Sequence, residues 1–292
     1  MIDGGRAVER RTIERVVPAV SSTDVPGLAL SRMIATPHLD MLDPFLLLSD
    51  FEPAAAGQAV GGFGDHPHRG FETVTYMIDG EMQHRDHIGN AGTVDAGGVQ
   101  WMTAGRGIVH AETPVPDKTG NLRGFQLWTN LPAAQKMCPP AYQEYDARSV
   151  PCVTTATGVN IRVIAGIVGD AEGPVAGVAA APTFLDVDLP AGASVAVDLP
   201  PDHNAFLYVI DGTVGVDGAA PPGQPQTVDA RQLAVMTNGA GVDLTAGASE
   251  PARLLVAAAR PINEPVARYG PFVMNTREEI MAAVEDFQAG RF

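Results

Sequence analysis

Residues 71–82 read Phe-Glu-Thr-Val-Thr-Tyr-Met-Ile-Asp-Gly-Glu-Met. β-Branched and aromatic residues run to Ile78, and Asp79-Gly80 is a two-residue turn signal, so the stretch predicts a strand and a return through Glu81–Asp86. In that register His84 faces Thr75, on the side opposite Glu72, Val74 and Tyr76. The same phrase recurs downstream. Tyr76-Met77-Ile78-Asp79-Gly80-Glu81-Met82 aligns with Tyr208-Val209-Ile210-Asp211-Gly212-Thr213-Val214, and Met102-Thr103-Ala104-Gly105 with Met236-Thr237-Asn238-Gly239. The offset grows by two residues, which places a short insertion around Ala219–Gln226. Two copies of one β-barrel unit are expected, divided near residues 146–160 into 1–145 and 146–292.

Working outward, further strands are expected at 98–103, 107–110, 124–128, 160–168, 183–189, 194–199, 205–210, 233–237 and 253–258, with a buried one within 41–51. Thr276-x-x-Glu279 resembles a capping box ahead of Ile280, Val284 and Phe287, and Gly290 is placed as a stop, so the fold is all-β with a short C-terminal helix. Residues 132 onward form a second, short candidate helix. The 292 residues include 32 Gly and 24 Pro, in keeping with many turns.

Composition excludes several functions. The formal charge is −15, and Lys118 and Lys136 are the only lysines, so neither a nucleic-acid backbone nor an anionic membrane is an expected partner. No run approaches the length of a membrane span, and Met1–Arg15 has no apolar core of a secretory signal. Cys138 and Cys152 are expected as reduced thiols of a cytoplasmic protein. No Gly-x-Ser-x-Gly, P-loop or Rossmann pattern is present.

Five of the seven histidines lie between Asp65 and Thr113. His66-Pro67-His68 and His110-Ala111-Glu112 are paired at a spacing of two, which in a strand puts both members on one face. Pro67 holds the first pair extended, and Gly105-Arg106-Gly107 reads as a hinge into the second. Together they offer three imidazoles and a carboxylate to one ion. Glu72 competes with Glu112 for the carboxylate position. We favour Glu112, with Glu72 as a group orienting a histidine. His38, His84, His87 and His203 read as ordinary structural histidines. The thiolate-free donor set suits Fe(II), and also Mn, Ni, Cu or Zn. In the second copy the repeat register puts Asp198, Pro200, Leu244 and Ala246 at the ligand positions, which leaves one working site.

Three motifs resemble the pirin family of the cupin superfamily. They are His66-Pro67-His68-Arg69-Gly70-Phe71-Glu72-Thr73-Val74-Thr75-Tyr76, Gln100-Trp101-Met102-Thr103-Ala104-Gly105-Arg106-Gly107-Ile108-Val109-His110-x-Glu112, and Gly124-Phe125-Gln126-Leu127-Trp128-x-Asn130-Leu131-Pro132. The tail Gly270–Ile280 resembles the family's C-terminal end. The resemblance implies a bicupin of two antiparallel barrels, with iron in the first on His66, His68, His110 and Glu112. It also implies quercetin-type 2,3-dioxygenase activity or, in other members, a regulatory role through a protein partner. Ring cleavage would use Glu112 as proton acceptor, with Phe125 and Met102 as candidate walls for a planar aromatic substrate. A monomer is expected, since paired barrels cover each other's apolar faces.

Overall fold

The computed structural model describes residues 10–22, 25–55, 59–217 and 226–292. Residues 1–9 and the insertion expected around Ala219–Gln226, apart from Gln226 itself, lie outside them. Among the described residues the strand ladders are antiparallel, with parallel pairing only at the isolated bridges Arg69–Phe272 and Ala165–Val175, and there is a single α-helix, Arg277–Gln288. No described helix is long and apolar enough to cross a membrane.

The chain divides into two units. One comprises residues 20–150, 177–180 and 261–292; the other comprises 1–19, 151–176 and 181–260. The division near residue 150 is thus accompanied by an exchange of ends. The strand Ile13–Pro18 hydrogen-bonds within the second unit, along Gln232–Met236, and the C-terminal helix belongs to the first.

Each unit pairs a seven-stranded with a four-stranded sheet. In the first, the larger sheet runs Ala141–Tyr145, Val99–Thr103, Phe71–Asp79, Arg123–Asn130, Phe45–Pro53, Leu28–Ile34, Val20–Ser22; the smaller runs Phe63–His68, Ile108–Val115, Glu81–Asp86, Ala91–Asp95. The second repeats this order with Ile13–Pro18, Gln232–Met236, Asn204–Asp211, Ala252–Ala259, Thr183–Leu189, Asn160–Ala165, Cys152–Thr154, and Ser194–Asp198, Gly241–Ala246, Thr213–Val216, Gln226–Asp229. This is the bicupin arrangement.

The Asp79-Gly80 turn is not a ladder hairpin. Phe71–Asp79 pairs with Val99–Thr103 and Arg123–Asn130, whereas Glu81–Asp86 pairs with Ile108–Val115 and Ala91–Asp95. The turn is a corner that carries the chain from one sheet to the other, and Asp211-Gly212 does the same in the second unit. His84 therefore sits opposite Glu112 and Gly92, not Thr75.

The ladders also correct the repeat register. Met82 and Val214 follow equivalent corners; Met82 pairs with Pro114 and Val214 with Ala246. Hence Glu112 corresponds to Leu244 and His110 to Val242. His110 pairs with His66 and Val242 with Val197, so Val197 takes the place of His66 and Leu199 that of His68. These four residues are apolar and buried in one continuous core cluster. The positions are empty of ligands, as expected, though Asp198, Pro200 and Ala246 do not occupy them.

The terminal helix carries the expected capping box: Thr276 Oγ1 accepts from the Glu279 amide, and the Glu279 carboxylate accepts from the Thr276 amide. The short segment after Leu131 is a single 3₁₀ turn, Ala133–Gln135. Both cysteines are free thiols.

Candidate metal centre

Phe63–His68 is the edge strand of the four-stranded sheet, the position where a proline inside a strand costs no ladder hydrogen bond. Pro67 lies opposite Val109, so its neighbours His66 and His68 both turn inward, with His66 opposite His110. Between His110 and Glu112 the register on Phe63–His68 shifts from His66 to Phe63, an irregularity of the kind that re-aims side chains beside a site. The loop after the first pair is clamped. Arg69 donates to the Arg106 carbonyl and to Asp286 of the terminal helix, and it stacks under Phe292. Gly70 has φ +87°, and a side chain there would collide with the Val273 carbonyl.

The ligating atoms of His66, His68 and His110 lie within 4.8 Å of one another. Two nitrogens bound to one ion at about 2.1 Å are at most about 4.2 Å apart, so the widest gap needs to close by at least about 0.6 Å. His68 and His110 are buried, and His66 stands half-buried at the mouth. Both ring nitrogens of His110 lack a hydrogen-bond partner, and those of His68 have only an approach to the Pro271 backbone outside hydrogen-bond geometry. Such orphaned polar atoms cost about 1–3 kcal/mol each when left unmet, and an ion would relieve one on each ring. His66 is oriented differently: its Nδ1 is 2.7 Å from the Gly64 carbonyl, which fixes the Nδ1–H tautomer and leaves Nε2 free to ligate.

Burial, and then the neighbouring His110 and His66, hold the His68 imidazole well below its ordinary pKa. Burial pulls His110 down to about 4 despite the opposing pull of Glu112. Both rings are therefore neutral at physiological pH, the form that ligates a metal. The donor set thus fits an ion.

Glu112 is buried beside the triad. Its Oε1 accepts from Thr75 Oγ1 (3.1 Å) and Gln126 Nε2 (3.1 Å), and its Oε2, which also accepts from Gln126 Nε2 (3.3 Å), lies 3.9 Å from both His66 Nε2 and His110 Nε2. Gln126 is oriented in turn by Trp128 Nε1, 3.4 Å from its Oε1. Glu72, the competitor, is not brought to the histidines. Its two oxygens accept from Thr103 and Thr129, and burial raises its pKa.

Residues that sequence reasoning missed surround this carboxylate. Thr75 and Gln126 belong to a polar row that crosses the larger sheet one strand at a time: Glu144, Gln100, Thr75, Gln126, Ser49, Arg32. His84, in the strand Glu81–Asp86, is buried; its Nε2 is 2.7 Å from Glu144 Oε2, and Tyr142 stacks on its ring. The equivalent row in the second unit is Val16, Ala234, Leu207, Val256, Leu185, Val163. That contrast, polar in one copy and aliphatic in the other, was the available signal.

A cavity of about 360 Å³ opens on His66 and His68, walled by Leu47, Phe51, Phe63 and Trp128. Phe125 and Met102 are fully buried and do not line it. Phe125 neighbours Gln126 in its strand and so faces the other side of the sheet.

Residues 27–129 match the Pirin family model, and residues 184–292 the model of the Pirin C-terminal cupin domain. A pirin-like protein of Caulobacter vibrioides is 46% identical over 283 residues, covering 97% of this chain and 99% of its own length. A Pseudomonas aeruginosa protein provisionally named a quercetin 2,3-dioxygenase is 43% identical over 273 residues, or 92% and 93% of the two chains. The crystal structure of quercetin 2,3-dioxygenase from Acinetobacter baumannii superposes with a TM-score of 0.86 at 33% identity, covering 97% of this chain and 98% of that one. With that extent of likeness across both barrels, the chain belongs to the pirin family.

Proposed function

We propose that this protein is an Fe(II)-dependent dioxygenase of the pirin type, cleaving the ring of a flavonol-like, enolic aromatic substrate. One observation carries the reading: three imidazoles converge, two of them buried and unsatisfied, and His66 and His68 among them line an aromatic-walled cavity large enough for a small planar molecule. The resemblance to proteins named quercetin 2,3-dioxygenase supports the same chemistry.

His66, His68 and His110 would hold the ion, with Glu112 as fourth ligand. Bound iron supplies Lewis acidity toward an enol oxygen and a redox-active centre for dioxygen. Glu112 accepts the enol proton at Oε2. Thr75 holds Oε1 and the Gln126 amide bridges both oxygens, which fixes the plane of the carboxylate with Oε2 on the histidine side. Leu47, Phe51 and Trp128 position the ring and exclude water from the reacting edge.

The test is oxygen uptake by Fe(II)-reconstituted protein with quercetin, with elemental analysis identifying iron against Mn, Ni, Cu and Zn. Turnover is expected, and Glu112→Ala lowers kcat by about 10²-fold or more. Equal turnover by both proteins contradicts the role of Glu112. Full iron occupancy with no consumption of any enolic aromatic contradicts the enzymatic reading and favours a regulatory protein acting through a partner.

A further inference from the structure

The cavity is not uniform. His66 and His68 line it together with two arginines, Arg32 and Arg268, between the apolar walls. Arg32 ends the polar row, with its Nε 3.4 Å from Ser49 Oγ. Arg268 comes from the C-terminal segment, lies over the Trp128 ring at 5.3 Å, and donates from Nη1 to the Leu46 carbonyl at 3.0 Å. The remaining guanidinium donors of both residues have no acceptor, and neither arginine has a carboxylate within ion-pair distance, among the described residues. Asp40 acts on Arg268 only through its field, and Arg32 repels it.

Arg32 is half-buried and Arg268 is exposed at the cavity, and no acidic side chain meets either among the described residues, although the chain has 34 acidic and 19 basic residues. Three other partly buried arginines pair with carboxylates, Arg69 with Asp286, Arg123 with Asp50 and Arg253 with Asp186, whereas buried Arg11 is met by the carbonyls of Thr237, Pro200 and His203. His66 and His68 supply no counter-charge, and Glu112 is committed to Thr75 and Gln126. A ligand anion would meet the open donors, and a planar carboxylate matches the guanidinium fork.

From this arrangement we infer that the cavity selects an aromatic acid: a planar ring bearing a carboxylate held by Arg32 and Arg268 while the ring lies between Leu47 and Trp128. Arg32 and Arg268 are then specificity-determining residues. Within the enolic aromatics of the proposed function, the preferred members are then those that also bear a carboxylate, with quercetin a substrate that leaves the two arginines unmet. The inference rests on the reading of this cavity as the substrate chamber, but it requires no metal and is tested without one.

Calorimetric titration of metal-free wild-type protein with 2-naphthoate and its neutral isostere 2-naphthamide separates the possibilities. Binding of naphthoate about tenfold tighter or more is expected, with the preference shrinking as salt is raised. Arg32→Gln and Arg268→Gln each reduce the preference about threefold or more, and the double variant removes it. Arg268→Lys, which keeps the charge, retains part of it and controls for lost packing on Trp128. Equal binding of the two probes, binding of neither, or a preference that survives the double variant overturns the inference. Any of those results leaves the iron reading to its own oxygen-uptake test, and failure of iron to bind leaves this measurement unaffected.

Discussion

The two barrels have the same strand order and opposite interiors. In the second, Ile13, Val163, Leu185, Val197, Leu207, Val242, Leu244 and Val256 belong to one continuous apolar cluster. In the first, the matching positions hold polar groups, among them His66, His110, Glu112, Thr75, Gln126, Ser49 and Arg32. The fold therefore does not require His66, His68, His110, Glu112, Thr75 or Gln126. An aliphatic set does the structural task with no orphaned polar atoms. The first barrel carries buried imidazoles that cost stability while they are unmet, and that cost supports the proposal that they hold an ion.

Exchanging residues between the barrels gives the sharpest tests. Installing the second barrel's residues as His68→Leu and His110→Val should abolish stoichiometric Fe(II) binding, read by anaerobic titration. The same change should raise the melting temperature of the metal-free protein, since each unsatisfied group removed is worth about 1–3 kcal/mol. A lower melting temperature would show that the imidazoles stabilise the empty barrel. Gln126→Val, copying Val256, frees Glu112 from one of its two donors and should weaken metal affinity about 10–100-fold with the three histidines intact. Unchanged affinity would remove Glu112 from the coordination set. The reverse exchange, Leu207→Thr, should cost about 1–3 kcal/mol in denaturant unfolding and leave iron content unchanged. The smallest expected effect is at the terminal helix. Thr276→Ala removes its cap and should cost about 1 kcal/mol, loosening the Asp286 contact that holds Arg69 behind the histidine loop.

What could be read from the chain was what is local. His66-Pro67-His68 announces itself because side chains two apart in a strand share a face and proline marks an edge. The capped terminal helix is likewise contained in its own dozen residues. The Asp79-Gly80 corner was misread because turn chemistry does not record which sheet receives the next strand; that is decided by the pairing of Glu81–Asp86 with Ile108–Val115. The choice between Glu72 and Glu112 depends on Thr103 and Thr129 on one side and Thr75 and Gln126 on the other, none adjacent in sequence. Arg268 enters the cavity from a segment more than 130 residues beyond Trp128, and the ladder register that assigned Val197 and Leu199 to the ligand positions needed the partner strands themselves.

The central claim, that an ion belongs in the first barrel and none in the second, is tested most directly by anomalous diffraction at the iron edge from crystals grown with Fe(II). One peak is expected, bounded by the imidazoles of His66, His68 and His110 with Glu112 Oε2 at its side, and no density among Val197, Leu199, Val242 and Leu244. A first barrel without a peak, or iron bound on other residues, would contradict the account.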